Sequence, residues 1–312
     1  MAGIKITGIG GSKGEKSVTN FDLAKTVDTS DEWIRSKTGI VSRYFAGERT
    51  NADMALEAGK KAMKDADAKP QEIGLLIVCT FTPDDRTPGV ACEVSGRLGL
   101  SENALCLDVN GACSGFIYGC ILANGFLSSL KGQRKALVIG SEKISPLLNM
   151  DDRSTCVLFG DGAGAAVLEY DEDADFFSVY GCTSDREVLG CGSGNASIHM
   201  AGQEVYRFAV NKSSEATKTL MTGNDISEKD VDHFVFHQAN ERIIASSIAR
   251  LGLPKEKFFV NVSEYGNTSA ASVPLAMADM RDKEILKEGQ KLICTGFGAG
   301  LTYGSMYIQF GK

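Results

Sequence analysis

The stretch KPQEIGLLIVCT (69–80) has a second copy in SEKDVDHFVFHQ (227–238). Both segments start with a charged turn and continue into an apolar run, which is typical of a buried strand. Further pairs of similar segments follow in the same order in the two halves: VACEVSGRLGL (90–100) with IIASSIARLGL (243–253), CLDVN (106–110) with FVNVS (259–263), KALVIG (135–140) with KLICTG (291–296), and FGDGAGAAVLEY (159–170) with FGAGLTYGSMYIQF (297–310). The constant order of these pairs indicates a duplicated chain.

The duplication predicts an α/β fold, because short apolar strands alternate with helical stretches. Long apolar helices predicted at 114–130 and 268–280 fit the middle of a layered structure that covers them on both sides. We expect similar halves, 1–172 and 173–312, related by a pseudo-twofold axis and joined by the surface segment DEDAD (171–175). Equivalent strand ends converge at such an axis, so one site can draw residues from both halves.

Composition narrows the class of protein. The 312 residues exceed a usual single core, and 43% hydrophobic residues with 35 glycines describe a soluble globular protein. A net charge of −7 argues against general nucleic-acid binding, and no apolar run approaches the roughly 20 residues that cross a bilayer. The nine cysteines contain no C-x-x-C pair, and the start MAGIKITGIGG does not resemble a secretory signal, so we expect reduced thiols in the cytoplasm.

The turn GACSG (111–115) after the strand CLDVN has the form of a nucleophile elbow, with Cys113 at its centre. Small flanking residues permit the tight turn. A thiol at the start of a helix faces unpaired N–H groups and the positive end of the helix dipole. We therefore expect a lowered thiol pKa and donors for an oxyanion at Cys113.

The second half supplies candidate partners for this thiol. The strand DHFVFHQAN places His237 at its end, and the turn SEYGNTSAAS (263–272) corresponds to the cysteine elbow. In that alignment Asn267 falls almost where Cys113 falls in the first half. Each residue alone has an ordinary structural explanation, but the three at equivalent corners indicate a site.

Two chemistries suit a Cys-His-Asn site. In a hydrolase, His237 deprotonates the thiol and Asn267 orients the ring. In a condensing enzyme, Cys113 takes an acyl group from a thioester, while the other two side chains stabilise the enolate formed when a second thioester loses CO2. The neighbours of the histidine are Phe236 and Gln238, so no adjacent acid makes it a strong base.

The motifs GACSG, FHQANERI and YGNTSAASVP resemble the Cys, His and Asn motifs of β-ketoacyl-acyl-carrier-protein synthase III, a family of the thiolase superfamily. The resemblance runs essentially end to end and includes TSDEWI…KTGI (29–40), FGDGAGAAVL (159–168), HMAGQEVYRFAV (199–210) and GFGAGLTYGS (296–305). It implies a five-layered αβαβα fold and a homodimer. It also implies an enzyme that starts fatty-acid synthesis by condensing an acyl-CoA primer with malonyl-acyl carrier protein.

The resemblance also implies roles for individual residues. Cys113 would carry the acyl group, and His237 with Asn267 would promote malonyl decarboxylation. The oxyanion hole would be formed by the N–H of Cys113 and the FGAG turn (Phe297, Ala299). The CoA mouth would be lined by Trp33, Arg153 and Lys37, and Asn240 would contact the pantetheine arm. Lys37 stands where many members have arginine, so it keeps the charge but loses the planar fork.

A basic face near the mouth would dock the acidic carrier protein, with Arg242 as the residue that best matches the family. Arg250 and Lys255 are interpreted as part of a solvated helix face. Thr87 stands where many members have a phenylalanine that reaches into the partner's acyl pocket. Its smaller side chain predicts room for primers longer than acetyl.

No cofactor is expected beyond the CoA and carrier-protein thioesters, since the glycine-rich stretches match no nucleotide motif and the histidines lack metal-ligand companions. We expect no nucleic-acid or membrane partner. Two alternatives stay open: a condensing paralogue of a specialised pathway that uses another acceptor, and a non-catalytic homologue that binds acyl groups or carrier protein.

Overall fold

The structure, a computed structural model, describes residues 3–129, 135–192 and 197–311. The strands are β1 (Gly3–Lys13), β2 (Lys16–Thr19), β3 (Ser42–Phe45), β4 (Ile73–Cys79), β5 (Leu105–Val109), β6 (Lys135–Glu142), β7 (Gly162–Asp171), β8 (Phe177–Cys182), β9 (Leu189–Cys191), β10 (Ile198–Met200), β11 (His233–Phe236), β12 (Lys291–Gly298) and β13 (Thr302–Phe310). The α-helices are α1 (Asn20–Leu23), α2 (Asp31–Thr38), α3 (Asn51–Asp65), α4 (Val90–Leu98), α5 (Gly115–Leu127), α6 (Gly202–Gly223), α7 (Glu241–Leu251), α8 (Val262–Tyr265) and α9 (Ser272–Asp282).

The main sheet repeats one strand arrangement in each half. In the first half β4 runs parallel to β6, which is antiparallel to β7, which is antiparallel to β1. In the second half β11 runs parallel to β12, which is antiparallel to β13, which is antiparallel to β8. The two half-sheets join where β1 and β13 pair in parallel, Lys5 with Gln309 and Ile6 with Phe310. The predicted duplicated α/β architecture is confirmed.

Five layers follow from the packing of apolar side chains. The middle layer is α5 and α9, which share one core with residues of both half-sheets, such as Leu75 of β4 and Ile308 of β13. Helices α3 and α4 cover the outer face of the first half-sheet. Helices α6 and α7 cover the outer face of the second. The sequence of α5, GFIYGCILANGFL, carries no charge, as expected for a helix enclosed between two sheets.

The predicted central helices are present with altered limits. Helix α5 ends at Leu127, short of the predicted end at Leu130, which lies outside the described residues. Helix α9 begins at Ser272 rather than 268, because a 3-10 turn, Ser269–Ala271, comes first. Strand β7 ends at Asp171, the first residue of the predicted linker DEDAD. The division of the chain into halves near residue 172 stays a prediction.

The predicted strand FVNVS (259–263) is wrong. The structure has a single bridge between Phe234 and Phe258 there, and helix α8 begins at Val262. The Gln238 side chain replaces a neighbouring strand: its Oε1 accepts the N–H groups of Asn261 and Val262 at 2.9 and 3.2 Å, and its Nε2 donates to two backbone carbonyls. Backbone N–H and C=O groups that bond to a side chain do not need to pair with a neighbouring strand.

The turns before α5 and α9 lie against glycines of the opposite half-sheet. A Cβ on Gly140 of β6 would meet the carbonyl oxygen of Ala270, and one on Gly296 of β12 would lie 3.3 Å from the carbonyl oxygen of Cys113. The two turns are thus held at the centre of the molecule by contacts that leave no room for side chains.

No described helix meets the length and apolarity that crossing a membrane requires.

The substitution Gly140→Ala should be strongly destabilising, because its Cβ would collide with the backbone of Ala270. Overpacking of this kind costs about 1–3 kcal/mol, and a clash with backbone belongs at the upper end. Urea unfolding monitored by circular dichroism measures the loss.

Gly125→Ala is the matched control. Gly125 lies in α5, and its added Cβ would contact nothing within 4 Å, so alanine should stabilise the protein by about 0.5–1 kcal/mol. Equal stability of the two variants would contradict the packing described here.

Candidate active site

The turns before α5 and α9 have the same local structure. The Asn110 side chain accepts the N–H of Ala112 at 3.2 Å, and the Asn267 side chain accepts the N–H of Ser269 at 2.9 Å. Ala112 and Ser269 both have positive φ, 46° and 50°. A 3-10 turn and then the helix follow in each case. We call these two turns the elbows.

This equivalence corrects the alignment made from sequence. Asn267 corresponds to Asn110, whereas Cys113 corresponds to Ala270, so the predicted match of Asn267 with Cys113 was displaced by three residues. The reason is local: the second half has helix α8 where the first has strand β5, and the loop into the elbow therefore differs. Cys113 and Asn267 nevertheless face one site, because the elbows converge.

The elbows open into a cavity of about 530 Å³ that is lined by Cys113, His237 and Asn267 together. Its other walls are mainly apolar and include Phe81, Leu158, Phe159, Leu189, Ile198 and Val205. The three predicted side chains therefore line one cavity. An apolar cavity with a few convergent polar groups suits an acyl chain whose thioester end lies at the polar groups.

Cys113 sits at the polar end of this cavity. Burial raises the pKa of its thiol to about 12, the neighbouring Ser269 side chain opposes that rise, and the charge of Glu142 adds to it. The prediction of a lowered pKa is wrong for the protein without ligands. The elbow shields the partly buried thiol from much of the water, and that loss of hydration outweighs the favourable placement at a helix start.

His237 follows β11 directly, and its N–H donates to the Thr295 carbonyl at 2.8 Å, which continues the strand pairing. Its ring Nδ1 lies 2.9 Å from the hydroxyl of Ser272. That hydroxyl accepts the N–H of Gln238 at 2.7 Å. Among the described residues, Nδ1 of His237 is the atom to which the hydroxyl can donate its own proton. We therefore assign the ring proton to Nε2.

The Nε2 atom of His237 is buried and has no hydrogen-bond partner among the described residues. Burial lowers the pKa of the ring to about 3. Phe297 packs edge-on against it with ring centroids 5.0 Å apart. The ring is thus neutral near pH 7 and offers one N–H donor to the cavity.

Asn267 offers a second donor. Its Oδ1 is occupied by the N–H of Ser269, so its amide Nδ2 is the atom that can donate to a ligand. The residue is 7% exposed, so its side chain has little freedom. Two neutral donors at one end of an apolar cavity suit a carbonyl oxygen that gains negative charge.

The FGAG turn lies directly against the thiol. A Cβ on Gly298 would be 2.6 Å from the backbone nitrogen of Cys113, and Ala299 lines the cavity beside it. Phe297 is 5% exposed and belongs to the wall near His237. The predicted oxyanion-hole segments are therefore adjacent.

The mouth of the cavity is basic. Asn240 lines the cavity, caps α7 by accepting the N–H of Arg242 at 2.8 Å, and donates to the Lys37 carbonyl at 3.1 Å. An adjoining cavity is lined by Lys37, Arg207 and Arg242. Arg207 was missed by the sequence analysis.

Trp33 and Arg153 lie together but line neither cavity. The Arg153 guanidinium carbon is 5.2 Å from the centroid of the Trp33 ring. Trp33 lies one turn before Lys37 on α2, so the pair flanks the basic mouth.

The remaining predicted residues are all exposed. Thr87 lies outside the cavity lining of its own chain. Arg250 and Lys255 lie toward the end of α7 opposite Arg242. Among the described residues, no cluster of metal-ligating side chains is found.

Three polar residues of the site were missed from sequence: Ser269, Ser272 and Glu142. Both serines belong to the motif YGNTSAAS, for which the sequence analysis assigned a role to Asn267 alone. Glu142 is fully buried at the end of β6, and burial raises the pKa of its carboxyl to about 7. A carboxylate that closes the apolar strand KALVIGSE was the available signal.

The fold is α/β, and its cavity holds a thiol beside two neutral hydrogen-bond donors. Residues 107–184 match the family model of 3-oxoacyl-[acyl-carrier-protein] synthase III, and residues 221–310 match its C-terminal model. The chain is 42% identical to β-ketoacyl-[acyl-carrier-protein] synthase III of Clostridium acetobutylicum, with all of both chains covered. It therefore belongs to the β-ketoacyl-acyl-carrier-protein synthase III family.

Solved structures agree. The crystal structure of 3-oxoacyl-[acyl-carrier-protein] synthase III from Aquifex aeolicus is 40% identical, with a TM-score of 0.93 over 98% of this chain and 99% of that one. The priming β-ketosynthase of the R1128 polyketide pathway is 31% identical, with a TM-score of 0.93 over 99% of this chain and 96% of that one. The predicted family, thiolase-like fold and condensing acyltransferase class are confirmed.

Burial of His237 should make the protein less stable in acid. The low pKa keeps the native ring neutral down to about pH 3, whereas the unfolded ring binds a proton near pH 6.5. Between pH 6.5 and pH 3 the unfolded state binds more protons at this residue than the native state does. Each unit by which the pH falls in that range therefore lowers the free energy of unfolding by up to about 1.4 kcal/mol. Urea unfolding at pH 7 and pH 5 measures the slope.

The variant His237→Gln should lose this part of the slope. His199→Gln removes an exposed ring instead and should keep the parent's pH dependence. The same pH dependence in the His237→Gln variant as in the parent would contradict a neutral buried ring.

Proposed function

We propose that the chain condenses an acyl-CoA primer with malonyl-acyl carrier protein through an acyl-Cys113 intermediate and thereby starts fatty-acid synthesis. The observation that carries this proposal is the single cavity that holds the thiol of Cys113 together with the donors of His237 and Asn267. The relatives named above support it, since they are synthases of 3-oxoacyl-carrier protein.

The first half-reaction is acyl transfer. The sulfur of Cys113 attacks the thioester carbonyl, its proton leaves, and the carbonyl oxygen becomes an oxyanion. The N–H of Cys113 and an N–H of the FGAG turn would stabilise that charge, since the two segments are in contact. Collapse of the intermediate breaks the C–S bond to CoA, which departs as its thiol.

The second half-reaction begins with loss of CO2. The thioester carbonyl of the malonyl group would accept hydrogen bonds from Nε2 of His237 and Nδ2 of Asn267. The bond between the carboxylate carbon and the methylene carbon breaks, and its electrons form an enolate that these donors stabilise. The low pKa of His237 suits this role, because decarboxylation supplies the carbanion without a strong base.

Carbon–carbon bond formation completes the cycle. The enolate carbon attacks the acyl carbonyl on Cys113, the C–S bond breaks, and the 3-ketoacyl group stays on the carrier protein. The released sulfur regains a proton. This order accounts for a cavity with an apolar end for the acyl chain and a polar end for both carbonyls.

Substrates would approach through the basic mouth. Trp33 and Arg153 would hold the adenine of CoA, Lys37 would contact a phosphate, and Asn240 would contact the pantetheine arm. We propose that Arg242 docks the acidic carrier protein, so that a chain of net charge −7 attracts an acidic partner locally.

The working form is proposed to be a cytoplasmic homodimer of chains divided near residue 172, with no cofactor. Dimerisation would bring Thr87 of each chain to the acyl pocket of the other.

A second candidate is priming of a specialised pathway. It is favoured by the match to the R1128 priming ketosynthase. The two candidates share every step at Cys113 and differ in the acceptor. A non-catalytic binding role is less favoured because the thiol and both donors are assembled. A hydrolase is less favoured because His237 makes no hydrogen bond to Cys113 that would mark it as a general base.

The variant Cys113→Ala should take up no acyl group from acetyl-CoA, because the nucleophile is absent. The measurement is the mass shift of the intact protein, with the adduct located by peptide mapping. Cys92→Ala is the control, since that thiol is exposed and lies outside the cavity, and it should acquire the adduct normally. Acylation of the Cys113→Ala variant would overturn the proposed function.

The variants His237→Ala and Asn267→Asp should keep acylation and lose decarboxylation. Aspartate keeps the acceptor for the N–H of Ser269 and removes the donor. Loss of one such donor costs about 10²–10³-fold in rate. Release of CO2 from malonyl-acyl carrier protein measures it. Unchanged CO2 release would contradict the assigned roles.

The variant Thr87→Phe should shorten the range of accepted primers, because it would add bulk where the pocket is proposed to meet the partner. Cys113 acylation by acetyl-CoA and by C6–C12 acyl-CoAs measures that range. If the parent protein already uses acetyl-CoA well and rejects the longer primers, the small side chain does not enlarge the pocket.

A further inference from the structure

Glu142 is a buried acid that the reaction described above does not use. It is fully buried at the end of β6 and accepts hydrogen bonds from the hydroxyls of Thr82, Thr80 and Ser269 at 2.6, 3.0 and 3.1 Å. The N–H of Phe81 also points to it at 3.2 Å. Among the described residues it has no basic partner within ion-pair distance, so nothing fixes it as a permanent anion.

Ser269 connects this acid to the nucleophile. Its hydroxyl donates to Glu142 at 3.1 Å, it lines the cavity together with Cys113, and its side chain acts on the thiol by lowering the thiol pKa. Its own position is fixed, because its N–H is held by Asn267. Ser269 therefore lies between the cavity that holds the sulfur and the buried carboxylate.

We propose that Ser269 and Glu142 form a proton relay that accepts the thiol proton when Cys113 attacks the acyl thioester. This inference rests on the proposed acylation of Cys113. The proton passes from sulfur to the Ser269 oxygen while the original hydroxyl proton passes to Glu142. The sulfur electron pair forms the new C–S bond, and the stored proton returns through the serine to the departing CoA sulfur.

The hydrogen bonds before and after the proton transfer are consistent with movement of the proton from Cys113 to Glu142. Before it, the serine hydroxyl points to the carboxylate and can accept from the thiol. After it, the hydroxyl points to the sulfur of Cys113 and accepts from the protonated acid. The carboxyl pKa of about 7 suits an acceptor that must also return its proton.

His237 is a poorer acceptor for this proton. Its Nδ1 is occupied by Ser272, its Nε2 already carries a proton, and burial lowers its pKa to about 3. The titratable groups coupled to Glu142 are the thiols of Cys79 and Cys113, and burial raises both of their pKa values. Between these thiols, Cys113 is the one that lines the cavity.

The test is the single-turnover rate of Cys113 acylation by acetyl-CoA from pH 5.5 to pH 9, followed by mass spectrometry of quenched samples. In the parent the rate should fall as pH drops through about 7, because Glu142 becomes protonated. Glu142→Gln and Ser269→Ala should each slow acylation about 10²-fold at pH 7.5 and remove that step from the profile.

The double variant separates a relay from two independent effects. Members of one relay are not additive, so Glu142→Gln with Ser269→Ala should be no slower than the slower single variant.

Asp161→Asn is the structural control. Asp161 is also fully buried and accepts the N–H groups of Ala46 and Ile144 at 2.7 and 2.6 Å, but it has no connection to Ser269. It should lose stability and keep the parent's acylation profile. An equal slowing in Asp161→Asn, or a rate within twofold of the parent in Glu142→Gln, overturns the relay. Absence of acylation in the parent overturns the proposed function instead.

Discussion

The close approach of the two elbows to glycines of the opposite half-sheet is the contact on which the site depends. Gly140 admits the elbow of the second half, and Gly298 admits that of the first. Because each helix start is pressed against the other half's strand, Cys113 and Asn267 share a cavity although they are far apart in the chain. The backbone itself therefore sets the spacing of the reactive groups, and loops contribute little to it.

Exclusion of water gives these groups their chemical character. The same burial raises the thiol pKa, lowers the histidine pKa and raises the carboxyl pKa, since it disfavours the charged form of each. At rest the thiol of Cys113 and the ring of His237 are therefore neutral. Such a site stabilises an oxyanion with oriented dipoles, which need no reorganisation when the charge forms.

Much of this could be read from the sequence. The duplicated segments predicted the half-sheets, and the motifs around Cys113, His237 and Asn267 predicted the residues that meet. The register of the elbows could not be predicted, because helix α8 takes the place of a strand in the second half. That replacement depends on the contacts of the Gln238 side chain with the backbone of residues 261 and 262, which are distant from it in the chain. Glu142 was missed because its neighbours come from distant segments, and the thiol pKa was misjudged because burial is a property of the packed molecule.

The pairing of β1 with β13 has a consequence for how the protein is made. Strand β1 lies between β7 and β13, so one of its edges is covered by the strand of the main sheet that leaves the ribosome last. Until then, the first half-sheet has an open edge that can join strands of other chains. Contacts of such long sequence separation form slowly, so the nascent first half is the stage at which assistance by chaperones matters most.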